Sequence, residues 1–203
     1  MLRSAQSLAD KGSDTRLAIL RSARELIQTR SYLGLSFQEL ADRVGLRKAS
    51  LYHHFPSKEA LGVAVLERSV QQFDEWVVKL SGTPQEQISA YIAMFRDVLG
   101  AGRRVCPGGA MGPGWDSIEP GLQLAVKQIR QRQIDWLTVI VGQIKPGKNK
   151  TMSPPAQVAA QLFATCQGAL LSARISGQAQ DFDEALAPVI QQLQLPLLHA
   201  NMR

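Results

Sequence analysis

The chain has 203 residues, 45% of them apolar and 20% charged; that length fits one compact unit or a small module joined to a larger one, and it can bury a core without metal or disulfides. The balance excludes general disorder, a collagen repeat and a disulfide scaffold, and two cysteines in a chain without a leader-like opening fit a reducing, cytoplasmic compartment. The formal charge of +6 is unevenly placed, with 10 Lys and Arg against 5 Asp and Glu in residues 1–58, and 13 against 12 in residues 59–203. A small basic head on a nearly neutral body is the charge pattern of a polyanion-binding module, or of a basic face that only meets solvent.

Residues 1–13 are polar without a clear period and read as a flexible arm. From Asp14 onward Leu17, Leu20, Ala23 and Ile27 recur at helical spacing. After a turn containing Gly34, Ser36 and Glu39 have the spacing of a capping box, each side chain accepting from the other's amide. They open a short second helix with Leu40, Ala41 and Val44 inward, and Gly45 ends it at a position suited to positive φ. A third short helix runs from about 47 to 54. Pro56 interrupts, and Ser57 caps a fourth helix that reaches about residue 80.

Thr83-Pro84-Gln85-Glu86 is a second capping box, and the fifth helix carries Ile88, Ile92, Phe95 and Leu99. Six of the eight residues 107–114 are Gly or Pro, which predicts an irregular short sixth helix or a loop. A long helix follows from Pro120 to about Ile144, then a basic loop over 145–153. Residues 151–173 are uncharged, but Gln157, Gln161, Thr165 and Gln167 and the Pro154-Pro155 pair argue against a membrane span. That helix is apolar on more than one face, which calls for a second subunit. Gly177 ends it, and Asp181 with Glu184 opens a last helix bearing Phe182, Leu186, Val189 and Leu193. No segment alternates with period two. The expected fold is all-α with about nine helices: a three-helix head over 14–56 and a larger helical body over 57–203.

Two short helices joined through Val44-Gly45-Leu46 form a helix-turn-helix signature. In such a unit the second helix enters the major groove by its N-terminal residues, here Arg47, Lys48, Ala49 and Ser50. Lys48 suits guanine O6 and N7, Ser50 suits base or phosphate, and Ala49 suits a thymine methyl. Tyr52, His53, His54 and Lys58 offer donors for phosphate.

The run from Ser36 to Leu61, above all Leu51-Tyr52-His53-His54-Phe55 followed by Ser57-Lys58-Glu59-Ala60-Leu61, resembles the TetR family of transcriptional regulators. Arg16, Ile19, Leu20 and Ala23 match that family's first helix, so the resemblance covers about residues 14–65. It implies an all-helical homodimer that is not an enzyme and uses no cofactor. It also implies a ligand pocket and dimer contacts in the C-terminal domain, and a palindromic double-stranded operator that is released on binding a small molecule. By position, Gln38, Lys48, Ala49 and Ser50 would face bases, Tyr52, His53 and Lys58 would hold the backbone, and His54 either. Three residues depart from the pattern: Arg47 where Ser or Thr commonly caps the recognition helix, Ala49 for a frequent Gly, and Ser31 for a frequent Gly.

Plainer readings stand beside these. His53 and His54 point about 100° apart on a helix and cannot share a metal. The Gly-rich stretch lacks the Gly-Lys-Ser/Thr ending of a phosphate loop. Tyr91, Phe95, Met111, Trp115 and Trp136 are pocket or core; Arg174 is a pocket cation or a solvated helix end. Cys166, inside an apolar helix, reads as buried and inert. Cys106 follows Arg103 and Arg104, cations that favour a thiolate, and regulators resembling the NemR electrophile sensors place a cysteine at this junction; it reads as a sensor or as inert. No metalloprotease, hydrolase, Cys-x-x-Cys or dinucleotide motif occurs. The competing reading is a DNA-binding protein without small-molecule control, which the lack of an internal cavity would favour.

Overall fold

The computed structural model describes residues 2–100, 103–145 and 153–196. Among them are eight α-helices in the order α1 (Leu2–Arg30), α2 (Phe37–Val44), α3 (Lys48–His54), α4 (Lys58–Lys79), α5 (Pro84–Leu99), α6 (Pro120–Gly142), α7 (Pro155–Ser176) and α8 (Gln180–Leu193). No strand occurs among the described residues. The expected sixth helix resolves into two single 3-10 turns, Gly109–Met111 and Trp115–Ser117, since Gly and Pro around them supply neither helical entropy nor the amide donors a longer helix needs. Residues 2–13 differ from the expected arm: no proline interrupts them and they continue α1 as helix. The basic loop expected over 145–153 lies for the most part outside the described residues. No described helix is long and apolar enough to cross a membrane.

Local chemistry sets most boundaries. Ser36 Oγ accepts from the Gln38 amide at 3.2 Å, but Glu39 does not close the expected box; it pairs instead with Arg30 of α1 at 2.6 Å. Gly45 ends α2 with φ +68° and Ser57 Oγ accepts from the Ala60 amide at the start of α4. Thr83 and Glu86 do form a complete capping box. The last helix opens without the expected side-chain cap. Ser31 follows α1 with φ +67°, the left-handed conformation in which glycine is strain-free; its hydroxymethyl group accepts that strain here.

One continuous core runs from the head into the body. Ile19, Ala23, Ile27, Leu40, Leu51 and Phe55 close the three-helix head, and Leu61, Leu66, Leu122, Leu137, Leu162 and Leu186 continue it downward. α4 packs on both α1 and α6, while α7 lies between α6 and α8. Gly62 of α4 allows this joint: a Cβ there would meet Tyr32 Cε2 at 3.0 Å and Leu122 Cδ1 at 3.1 Å.

Candidate functional site

The head presents a short recognition surface held from beneath. Leu51 and Phe55 sink into the core and fix α3, and the Arg16 guanidinium lies 4.9 Å over the Phe55 ring. The opposite side of α3 faces solvent: Arg47, Lys48, Ala49, Tyr52 and His53 are exposed, and Ser50 and His54 partly so. Arg47 occupies the N-cap position without a side-chain capping bond, so its guanidinium is not spent on its own helix. Tyr52 is 48% exposed, its ring leaning on Phe37 of α2 at 5.0 Å. Gln38, exposed on α2, donates from Nε2 to Asp42 Oδ1 at 2.9 Å, which orients its amide. These side chains offer cations, a hydroxyl and an oriented amide on the exposed parts of α2 and α3.

Lys58, expected on the DNA backbone, packs here against the turn after α1. Its ammonium lies 4.7 Å over the Tyr32 ring and donates to the Leu33 carbonyl at 3.1 Å. Burial lowers its pKa, with Glu119 opposing. It belongs to a polar joint in which the Tyr32 hydroxyl donates to Glu119 Oε2 at 2.9 Å and the Gly121 amide donates to Glu59 Oε1 at 3.0 Å. Burial and the Glu119 carboxylate hold the Tyr32 phenol well above its usual range.

The body contains a cavity of about 250 Å³ beneath α1. Its wall is Arg24 from α1, Ser69, Gln72, Phe73 and Trp76 from α4, Met94, Phe95 and Val98 from α5, Cys106 and Pro107, and Ile129 and Gln133 from α6. Of the residues singled out for a pocket, Phe95 and Cys106 line this one. Tyr91 and Trp136 lie outside its lining: Tyr91 packs on Phe73, Phe95 and Trp136, and donates to Gln133 Oε1 at 2.9 Å. Met111 is buried and Trp115 half-buried outside the wall, with Lys127 5.7 Å over the Trp115 ring. Arg174 is not a pocket cation; it donates to the carbonyls of Gln28 at 3.1 Å and Thr29 at 2.5 Å, because the last turn of α1 leaves those acceptors unused.

Both cysteines are free and buried. Cys106 is 6% exposed and forms part of the cavity wall, while Arg103 and Arg104 are exposed; the cation that faces the cavity with it is Arg24. Burial pushes the Cys166 thiol well above its usual range, with Cys106 adding to the effect. Sequence reasoning overlooked Arg24, Gln72, Phe73, Trp76 and Gln133. A signal existed for two of them: Arg24 borders the Leu20–Ala23–Ile27 stripe, and Gln133 interrupts the Ile129–Trp136–Ile140 stripe.

The family model for bacterial regulatory proteins of the TetR type matches residues 19–65, which are the last part of α1, all of α2 and α3, and the start of α4. Residues 19–65 are a TetR-type DNA-binding domain. The helix-turn-helix of this chain therefore matches the DNA-binding head of a family of regulators. The regulator EthR of Mycolicibacterium smegmatis is 29% identical over 103 residues, 49% of this chain and 48% of that protein. The repressor NemR of Escherichia coli is 35% identical over 82 residues, 38% of this chain and 41% of that protein. The match thus spans half or less of these curated relatives. Solved structures extend the likeness beyond the head. A TetR-family regulator from Agrobacterium tumefaciens superposes with TM-score 0.80 at 26% identity, covering 89% of this chain and 97% of that one. The reduced form of E. coli NemR superposes with TM-score 0.74 at 25% identity, covering 92% and 99%.

Proposed function

We propose that the protein is a cytoplasmic, ligand-responsive repressor: a homodimer reads a near-palindromic operator with two copies of α3, and releases it when a small molecule fills the cavity or when Cys106 is modified. The observation that carries this reading is the cavity itself, because one of its walls, Arg24, belongs to α1 of the DNA-binding head. A dimer reads half-sites about 34–36 Å apart, so an occupant that shifts α1 against α4 changes head separation and disfavours the operator. Gln38, Arg47, Lys48, Ala49, Ser50, Tyr52, His53 and His54 are the DNA-facing set; the head spans 14–56 and the body 57–203. The dimer is supported by the outer face of α7, where Ala164, Gly168, Leu171 and Ile175 are exposed at helical spacing without a charge. Repression follows the description of NemR as a repressor. The covalent route is supported by the place of Cys106 in the cavity wall.

The test begins with selection of bound DNA from a random pool. Operator binding is then measured across a library of small molecules and after limited N-ethylmaleimide treatment, with both thiols followed by mass spectrometry. We expect compounds that bind the cavity to weaken operator binding. Maleimide should label Cys106 before the desolvated Cys166, lowering operator affinity in the wild type and less in Cys106→Ser. Operator affinity indifferent to both treatments would leave a DNA-binding protein without small-molecule control.

A further inference from the structure

The cavity holds a cation without a countercharge. Arg24 Nη1 donates to the neutral Gln72 Oε1 at 2.5 Å, its Nε is buried without a hydrogen-bond partner, and among the described residues no carboxylate forms an ion pair with it. Burial lowers the Arg24 pKa, an effect that the Cys106 sulfur partly offsets. A partly buried guanidinium whose Nε has no partner carries a desolvation cost that an arriving anion offsets. The planar fork of Arg favours a carboxylate, which it can hold by two parallel bonds.

The other walls specify the rest of the occupant. Phe73, Trp76, Phe95 and Ile129 are aromatic or aliphatic, and the Gln133 carbonyl oxygen already accepts from Tyr91. The volume of about 250 Å³ exceeds the roughly 150 Å³ of an engineered cavity that takes benzene. One ring with a short acidic substituent fits within that volume.

We infer that the cavity takes a small aromatic carboxylate, its ring among Phe73, Trp76 and Phe95 and its carboxylate on Arg24. This rests on the reading of the cavity as the effector site and adds the chemical class of the effector and the first step of its action. The carboxylate displaces Gln72 of α4 as the acceptor for Arg24 of α1. The tie between the helix that carries the head and the helix that carries the body is thereby exchanged for a tie to the ligand. One turn further along α1, Gln28 accepts through its carbonyl from the Val105 amide and Arg174, so the displaced segment is joined directly to the rest of the body.

The experiment compares benzoate with benzamide, and phenylacetate with phenylacetamide, by calorimetry on the full-length protein and by operator binding. Wild type should bind each acid about tenfold or more tightly than its amide, the range expected for hydrogen bonds to a charged group, and the acids should weaken operator binding. Arg24→Met should bring acid and amide to equal affinity, while Arg24→Lys should keep part of the preference; each variant is referred to its own ligand-free operator affinity. Amides binding as tightly as acids in wild type, binding by neither class, or an acid preference that survives Arg24→Met would overturn the proposal. The wider effector reading fails differently: acids would bind through Arg24 and leave operator affinity unchanged. If neutral compounds release the operator and acids do not, the effector reading stands and the carboxylate falls.

Discussion

Lys48 and Lys58 look alike in the sequence, but their surroundings differ. Lys48 is exposed in the first turn of α3, which contains no acidic residue. A cation at a helix N-terminus is unfavourable by a few tenths of a kcal/mol, a cost that a guanine edge or phosphate reverses. Lys48→Ala should therefore cost about 1–3 kcal/mol on the selected operator and relax preference at one base position, with no loss of thermal stability. Lys58 instead covers the Tyr32 ring and caps the Leu33 carbonyl. Lys58→Ala should lower stability by about 1 kcal/mol while the slope of log affinity against log salt stays as in the wild type. Binding titrated across salt, together with thermal unfolding, separates the two; a slope reduced by about one for Lys58→Ala would return it to the phosphates.

At the level of elements, the caps that close within four residues were legible and those settled by distant partners were not. Thr83 and Glu86 satisfy one another: Glu86 Oε2 accepts from the Thr83 amide at 2.7 Å and from its hydroxyl at 2.9 Å, and Thr83 Oγ1 accepts from the Glu86 amide at 3.2 Å. Those donors lower the Glu86 pKa, the Thr83 amide most. A carboxylate depressed in the folded state contributes stability above its unfolded-state pKa, and the contribution is lost as pH falls through the folded value. Glu86→Gln should thus lower stability at pH 7, and by progressively less as pH falls through the folded-state value, as read by urea unfolding; a loss independent of pH would mean that the carboxylate charge has no part in the cap. Ser36 and Glu39 show the same spacing, yet Arg30 captured the carboxylate from the preceding helix, an outcome no local pattern contains. Helix periods and glycine stops gave the all-α architecture and the exposed face of α3 for the same local reason. Arg24 at the cavity and Lys58 at Tyr32 depend on partners 48 and 25 or more residues away in the chain, beyond the reach of periodicity.

For the whole molecule, the apolar faces of α7 and α8 divide between the chain's own core and an exposed remainder. Leu162 is fully buried and Val189 nearly so within the chain's own core, so a charge at either would break the fold rather than a subunit contact. The face left over carries Leu171 at 51% and Ile175 at 79% exposure. Leu171→Glu with Ile175→Glu should give a folded monomer that no longer binds a full operator, checked by sedimentation, circular dichroism and operator binding; a wild type that sediments as a monomer at micromolar concentration would refute the dimer. The end of α1 has a further consequence. Gln28 and Thr29 are held by Val105 and Arg174, and Tyr32 by Glu119, so the DNA-reading part is stitched to the body at three places far along the chain. The head and body of this chain are then not interchangeable parts. A chimera spliced after residue 56 would carry α1 away from the arginine, amide and carboxylate that seat it. The transplant would keep its seating only if the recipient body supplied those three groups.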